Sequence, residues 1–319
     1  MPVLSTRGLL SAYGYGMAHV SAQVVSNNFA LFSLAFNGSA VITNIDKYKY
    51  ANDSVSAASV MQQAGYAQYA AGNTTVGIFT LGWVNGGYAN VRNKYIYASD
   101  TTAAATASSQ PTQTGAAAGN STIGIFALSD NNNTYTNVRN KYTYSNDTNA
   151  LATSSSIAST GGAATAQGTY AIFALGAQTP STGSTARERY TFSGDTVVSA
   201  YSSSQQAVDQ CAAGNIQYGL FTLGYNPAGP AYTATRELYT YSSGTSAVTT
   251  SANAGSSVYG TAAGNATVGI FGIGYDSNIG ASTAREKWTY ASQTLTSTTS
   301  SSSANYWGSA TSNNNVGVF

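Results

Sequence analysis

Charge is what this chain lacks most. Only 7% of its 319 residues are Asp, Glu, Lys or Arg, against roughly 25% in an ordinary globular domain. With a net charge of +1, nucleic acid is not an expected partner, because its capture needs clustered cations that displace counterions. The single cysteine, Cys211, excludes an internal disulfide and reads as a small buried hydrophobe. The single histidine, His19, excludes a multi-histidine metal site and leaves one candidate for a Ser-His-Asp triad. In Met17-Ala18-His19-Val20 it reads as a satisfied core residue of a first strand. Acidic residues never take the spacing of a calcium loop, so no metal or cofactor is expected. No apolar run reaches 18 residues, so no membrane insertion is expected either. The stretch Met1 to Arg7 lacks the basic and then apolar pattern of a secretory signal.

Ser, Thr, Asn, Gly and Ala fill the space that charge leaves, together with 24 tyrosines. Aromatic content of 12% argues for a folded chain, since disordered chains lack aromatics. The tyrosines fall in a repeat. Arg139-Asn140-Lys141-Tyr142-Thr143-Tyr144 returns as Arg92 to Tyr97, Arg187 to Phe192, Arg236 to Tyr241 and Arg285 to Tyr290, with a degenerate first copy at Ile45 to Tyr50. The final aromatics stand at 50, 97, 144, 192, 241 and 290, so the period is 47 to 49 residues. Regularity of this kind marks one supersecondary unit stacked many times.

A second segment ends in Ile-Phe or a close relative, with Phe at 32, 79, 126, 173, 221, 271 and 319. Val76-Gly77-Ile78-Phe79-Thr80-Leu81 is apolar on both faces, as a strand buried on both sides should be. Gly or Ala always precedes the Ile position, which lets a neighbouring aromatic approach the backbone. Upstream, Ala71-Gly72-Asn73 and its copies predict a tight hairpin in which Gly-Asn supplies positive φ. A variable loop links the Ile-Phe strand to the Tyr strand. After the Tyr strand, Asp53, Asp100, Asp147 or Asp195 caps a turn, with Gly244 and Gln293 in the last two units. A weaker fourth strand, such as Val197 to Tyr201, completes the unit.

Four antiparallel strands in about 47 to 50 residues are the blade of a β-propeller. Phe126-Ala127-Leu128, an Asn-rich loop and a strand with alternating aromatics resemble the kelch repeat, and the resemblance spans roughly residues 10 to 319. It implies an all-β propeller, one domain over residues 1–319, of the kind seen in phage structural and bacterial surface proteins. The chain departs from the pattern in two respects. The double glycine survives only as a displaced Gly86-Gly87, and the fourth-strand Trp is missing. Seven Ile-Phe copies against six Tyr copies favour seven blades, the last shared by Met1 to Ala12 and Tyr306 to Phe319. Six blades are the alternative.

Eleven of the twelve cations lie in the Tyr strand. A motif present in every blade reads as scaffold, each Arg bridging to a carbonyl or acid of the next strand or blade, rather than as a ring of anion-binding cations. The tyrosine rows likewise read as blade packing. Asp130, Asp209 and Asp276 are the acids that do not repeat. The residues that do vary sit in the loop before the Tyr strand and bring Trp83, Tyr225, Tyr232 and Tyr275 beside Asn, Gly and Pro. Rigid aromatics with adaptable amides suit a sugar or a partner protein, so these four are the candidate ligand-binding residues. A charge-poor, hydroxyl-rich surface fits a protein working outside cells. Without an export signal, a virion component that leaves by lysis fits best. The expectation is a non-enzymatic, adhesive propeller in an oligomeric assembly, with other structural subunits or a host-surface glycan as partner. The alternatives are a bacterial lectin and a polysaccharide-acting propeller enzyme.

Overall fold

Each repeat folds as one antiparallel sheet whose strands follow chain order. In the computed structural model, which describes residues 28–127, 129–179, 182–229, 232–252, 258–276 and 280–313, blade 3 is typical. Its strands Ala116–Gly119, Ile123–Ala127, Arg139–Thr143 and Thr148–Ala152 lie side by side, inner to outer. Blades 2, 4, 5 and 6 begin at Tyr69, Ala163, Ala212 and Thr261 and repeat the pattern. Apart from Tyr69, the inner strands are built from Ala, Gly, Thr and Ser, and all are buried throughout. Small side chains let these strands crowd the axis, where they enclose only about 60 Å³.

The ring has six blades, not seven. Six four-stranded sheets are present among the described residues, one for each Tyr strand. Blade 1 has Phe29–Ser33, Ile45–Lys49 and Ser54–Ala57 from the beginning of the described chain, and its inner strand is Ser309–Ser312. Leu31 pairs with Thr311 and Phe32 with Ala310. The termini do share a blade, but the C-terminal side supplies the missing first strand of the first unit, so no seventh sheet is needed. Met1 to Ala12, His19 and Phe319, which the seven-blade expectation and the triad reading involve, lie outside the described residues.

The hairpin turn also differs from expectation. Neither Gly119 nor Asn120 has positive φ. Instead Asn120 Oδ1 accepts the N–H groups of Thr122 and Ile123 at 2.9 Å, and Asn73, Asn215 and Asn265 do the same in their blades. Glycine is needed next to this turn for closeness. A Cβ on Gly124 would stand 2.6 Å from the Tyr144 hydroxyl. Where Ala171 replaces the glycine, the aromatic is Phe192, which has no hydroxyl, and where Ala30 replaces it, the Tyr50 hydroxyl lies 3.4 Å from Ser312 Oγ.

The charged motif holds neighbouring blades together. Arg139 reaches Glu188 of the next blade at 2.7 Å with both side chains buried, and Arg187–Glu237, Arg236–Glu286 and Arg285–Asp46 repeat the contact. Each guanidinium also lies over the next blade's phenylalanine, 4.6 Å from Phe173 for Arg139 and 4.5 Å from Phe221 for Arg187. The acid has a second task. Glu188 accepts the N–H of Ser156, in the connection leading into its own blade, at 2.7 Å. Two interfaces lack the ion pair. Arg92 faces Asn140 and Asn149, and Ile45 takes the arginine position and joins the apolar cluster around Phe79.

A second, more exposed clasp uses the turn acids. Lys94 pairs with Asp147 at 2.7 Å and Lys141 with Asp195 at 3.2 Å, and Lys47–Asp100 and Lys287–Asp53 make the same contact. Each pair contributes about 0.2–1 kcal/mol. All four of these Asp residues have positive φ, a conformation that Asp tolerates better than most residues. Gly244 and Gln293 hold the same φ in blades 5 and 6. In the blades that would supply their cations, Arg189 of blade 4 lies over the Tyr170 ring of the same blade instead, and Leu238 of blade 5 stands where the other blades carry a cation.

Candidate functional site

With antiparallel strands in chain order, the connections that enter each inner strand and those that leave each second strand share one face. On that face the backbone repeats while the side chains do not. Just before each inner strand stands a residue with φ between 50° and 64°: Ala67, Thr114, Gly161, Asp209, Tyr259 and Trp307. Hydrogen bonds from blade to blade fix these residues around the axis, including Thr114 N–H to Ala67 C=O and Gly161 N–H to Thr114 C=O, both at 3.0 Å. The residue before each of them bridges to the start of the variable loop, pairing Tyr66 with Trp83, Gln113 with Asp130, Thr160 with Ala177, Val208 with Tyr225 and Val258 with Tyr275. The loops themselves form short hairpins in blades 2, 3, 4 and 6. The scaffold therefore delivers equivalent positions to the axis, and the sequence fills each of them differently.

Together they line a bowl of about 590 Å³ over the mouth of the channel. One side is an unbroken arc of half-buried aromatic rings. Trp83 stacks on Tyr66 and Tyr66 on Trp307, with interplanar angles of 29° and 24°. Tyr88 meets Trp83 edge-on at the near end. Beyond Trp307 the ring contacts pass behind the lining through Tyr306 and Tyr275 and return to it at Tyr232 and Tyr225, with centroids 4.8 to 6.4 Å apart. Rings in mutual contact keep their faces fixed at little entropic cost.

The opposite side, from blades 3 and 4, is polar. Asp130 is buried, and its Oδ2 accepts Gln113 Nε2–H at 3.0 Å and lies 3.3 Å from the Tyr88 hydroxyl. Its Oδ1 has no hydrogen-bond partner among the described residues. Tyr88 also sits 2.9 Å from Asn133 Oδ1, which joins the rims of two blades. Thr114 and Thr160 share a 2.5 Å hydrogen bond.

Asp209 lies at the floor, lining both the bowl and the 50 Å³ void beneath it. Burial pushes its carboxyl up to about 7, against a smaller opposing effect of the Tyr259 hydroxyl. Burial raises the Tyr259 and Tyr135 phenols too. The Asp209 charge adds to the shift of Tyr259, and the Asp130 and Asp209 charges add to that of Tyr135.

The expected residues Trp83, Tyr225 and Tyr232 line the bowl. Tyr275 stands behind them, in contact with Tyr232 and Tyr306 rather than in the lining. Sequence reasoning missed Tyr66, Tyr88, Tyr135, Tyr259 and Trp307, and the roles of Asp130 and Asp209. A usable signal was present. Positions 67, 114, 161, 209, 259 and 307 recur every 47 to 50 residues, yet no two carry the same residue type. Among the described residues no cluster of three or more His, Cys, Asp or Glu residues suits a metal ion.

No protein-family model matches the chain, and no curated protein matches it. Among solved structures, that of YjhT superposes with a TM-score of 0.61 at 11% identity, covering 77% of this chain and 87% of that one. At such identity the likeness is one of fold.

Proposed function

We propose that this chain is a non-enzymatic, glycan-binding propeller of kelch-like repeats that acts outside cells as an adhesive component of a virion. One observation carries the binding reading. An arc of fixed aromatic faces confronts an arc of amide, hydroxyl and carboxyl groups across a 590 Å³ bowl. A pyranose has the complementary surfaces, a C–H face that stacks on rings and an edge of hydroxyls that needs donors and acceptors. A bowl of this volume is within the range of small-ligand sites. The charge-poor, hydroxyl- and amide-rich composition supports the extracellular setting. The two ion-pair systems link blade to blade within the chain, which leaves the bowl as the better place for recognition.

The test is a glycan array with the native protein and Trp83→Ala, followed by titration of any hit through tryptophan fluorescence. Binding that weakens at least roughly tenfold in Trp83→Ala, with an unchanged unfolding midpoint, is the expected result. Failure to bind any sugar across the array would sink the reading. Turnover of a bound polysaccharide, abolished by Asp209→Asn, would overturn its non-enzymatic part.

A further inference from the structure

Of the eleven acidic residues in the chain, eight form ion pairs with a cation of a neighbouring blade. Asp130 and Asp209 form none among the described residues, and both line the bowl. No Lys or Arg is among the bowl's described lining residues. Asp130 is the more informative of the two. Its side chain is buried, one oxygen is held by Gln113 and Tyr88, and the other has no partner among the described residues. A buried carboxylate is costly unless something compensates its charge, and the scaffold that compensates the other acids supplies no cation here. Tyr135 lines the bowl together with both acids. The same bowl is lined by Tyr66, Trp83 and Trp307, whose π clouds are also electron-rich. Both walls favour positive charge.

We propose that the ligand of the bowl is cationic, an amino sugar whose free ammonium seats between the aromatic arc and the Asp130–Asp209 side. This rests on the glycan reading above and narrows it. An ammonium gains from both walls at once, through cation–π attraction and through the Asp130 carboxylate in a partly desolvated site, with Asp209, which holds its proton up to about pH 7, adding charge only as that proton is drawn off. A sugar carboxylate or sulfate meets only repulsion. N-acetylation removes the charge and keeps the ring, which makes it the sharpest comparison.

The experiment titrates the full chain with a glucosamine oligosaccharide, its N-acetylated counterpart and tetramethylammonium, at pH 6.5 and low salt, for the native protein and Asp130→Asn/Asp209→Asn. The expected result is a preference of roughly tenfold for the free amine over the N-acetyl form, weakened by added salt and lost in the double variant. Equal or tighter binding of the N-acetyl form overturns the charge assignment and leaves the glycan reading standing. A double variant that weakens both sugars alike overturns it too, because the carboxylates would then be shaping the bowl rather than reading charge. Binding of tetramethylammonium with neither sugar bound overturns the amino-sugar assignment and leaves the glycan reading to the array. Binding of none of the three overturns the cationic-ligand assignment and leaves the glycan reading to the array.

Discussion

Arg139→Ile tests whether the buried ladder between blades is held by charge pairing or merely by shape. The substitution removes a guanidinium with 0% side-chain exposure from Glu188, itself 3% exposed. Glu188 keeps one N–H, from Ser156 at 2.7 Å, but its charge becomes uncompensated. Losing one partner of a buried pair costs about 3–5 kcal/mol. The retained hydrogen bond places the expected loss near the lower end, about 3 kcal/mol. The chain carries its own control. Blade 1 has Ile45 at the arginine position, opposite Asn93 of blade 2, and Asn93 Oδ1 still accepts the connecting N–H, from Gln62 at 2.9 Å. Arg139→Ile with Glu188→Asn copies that interface. Both charges leave together and the acceptor for Ser156 remains, so the double variant should lie within about 1 kcal/mol of the native protein. Glu188→Asn alone copies the Arg92–Asn140 interface and should fall between the two. Urea unfolding followed by tryptophan fluorescence measures all four proteins without the screening that guanidinium salt brings. The coupling expected from this cycle is about 2 kcal/mol or more. A single Arg139→Ile loss below about 1 kcal/mol, or a double variant as unstable as the sum of the singles, would refute the ladder argument.

Three further outcomes follow from the same contacts. Burial works to raise the Asp195 carboxyl, but the Tyr190 hydroxyl, the Thr153 N–H and the Lys141 ammonium outweigh it and bring the group down to about 2. Its stabilisation is therefore present above the unfolded value near 3.9 and fades as pH falls toward 2; the urea midpoint of Asp195→Asn should depend less on pH over that interval, and identical slopes would contradict the clasp. Asp209 has the opposite sign: the folded state holds its proton up to about pH 7, so stability declines as pH rises from about 4 to 7, and Asp209→Asn should remove that decline, a result that parallel curves would exclude. Removing the chain from Ser309 onward takes away the inner strand of blade 1 and its ladder to Phe29–Ser33; the urea midpoint should drop sharply and a peptide spanning 305–313 should raise it again by binding, whereas an unchanged midpoint would mean that the ring does not depend on this closure.

Much of the fold was legible because each blade is a local object. The order of four strands, the Asp at the turn and the small residue before the Ile position all depend on neighbours within one unit of about 47 residues. The scaffold role of the arginines was legible for the same reason, since one contact made at four of six interfaces leaves a periodic mark. Blade number was not. It depended on which chain end fills the open inner edge of the first unit, and counting strand types at the ends pointed to the wrong completion. The turn chemistry was half legible: Asn73, Asn120, Asn215 and Asn265 were identified, but their side chains rather than their backbones make the turn.

The candidate site was the least legible part. By itself the sequence determined a charge-poor chain of repeated four-stranded units whose variable loops carry Trp83, Tyr225 and Tyr232, because alternation, spacing and turn residues act over a few positions. Only the tertiary structure decided that Tyr66, Trp307, Asp130 and Asp209 join them, since these residues come from different blades and meet only once the ring closes. Closure brings equivalent positions from every unit to one axis, and the site consists of the places where those units differ.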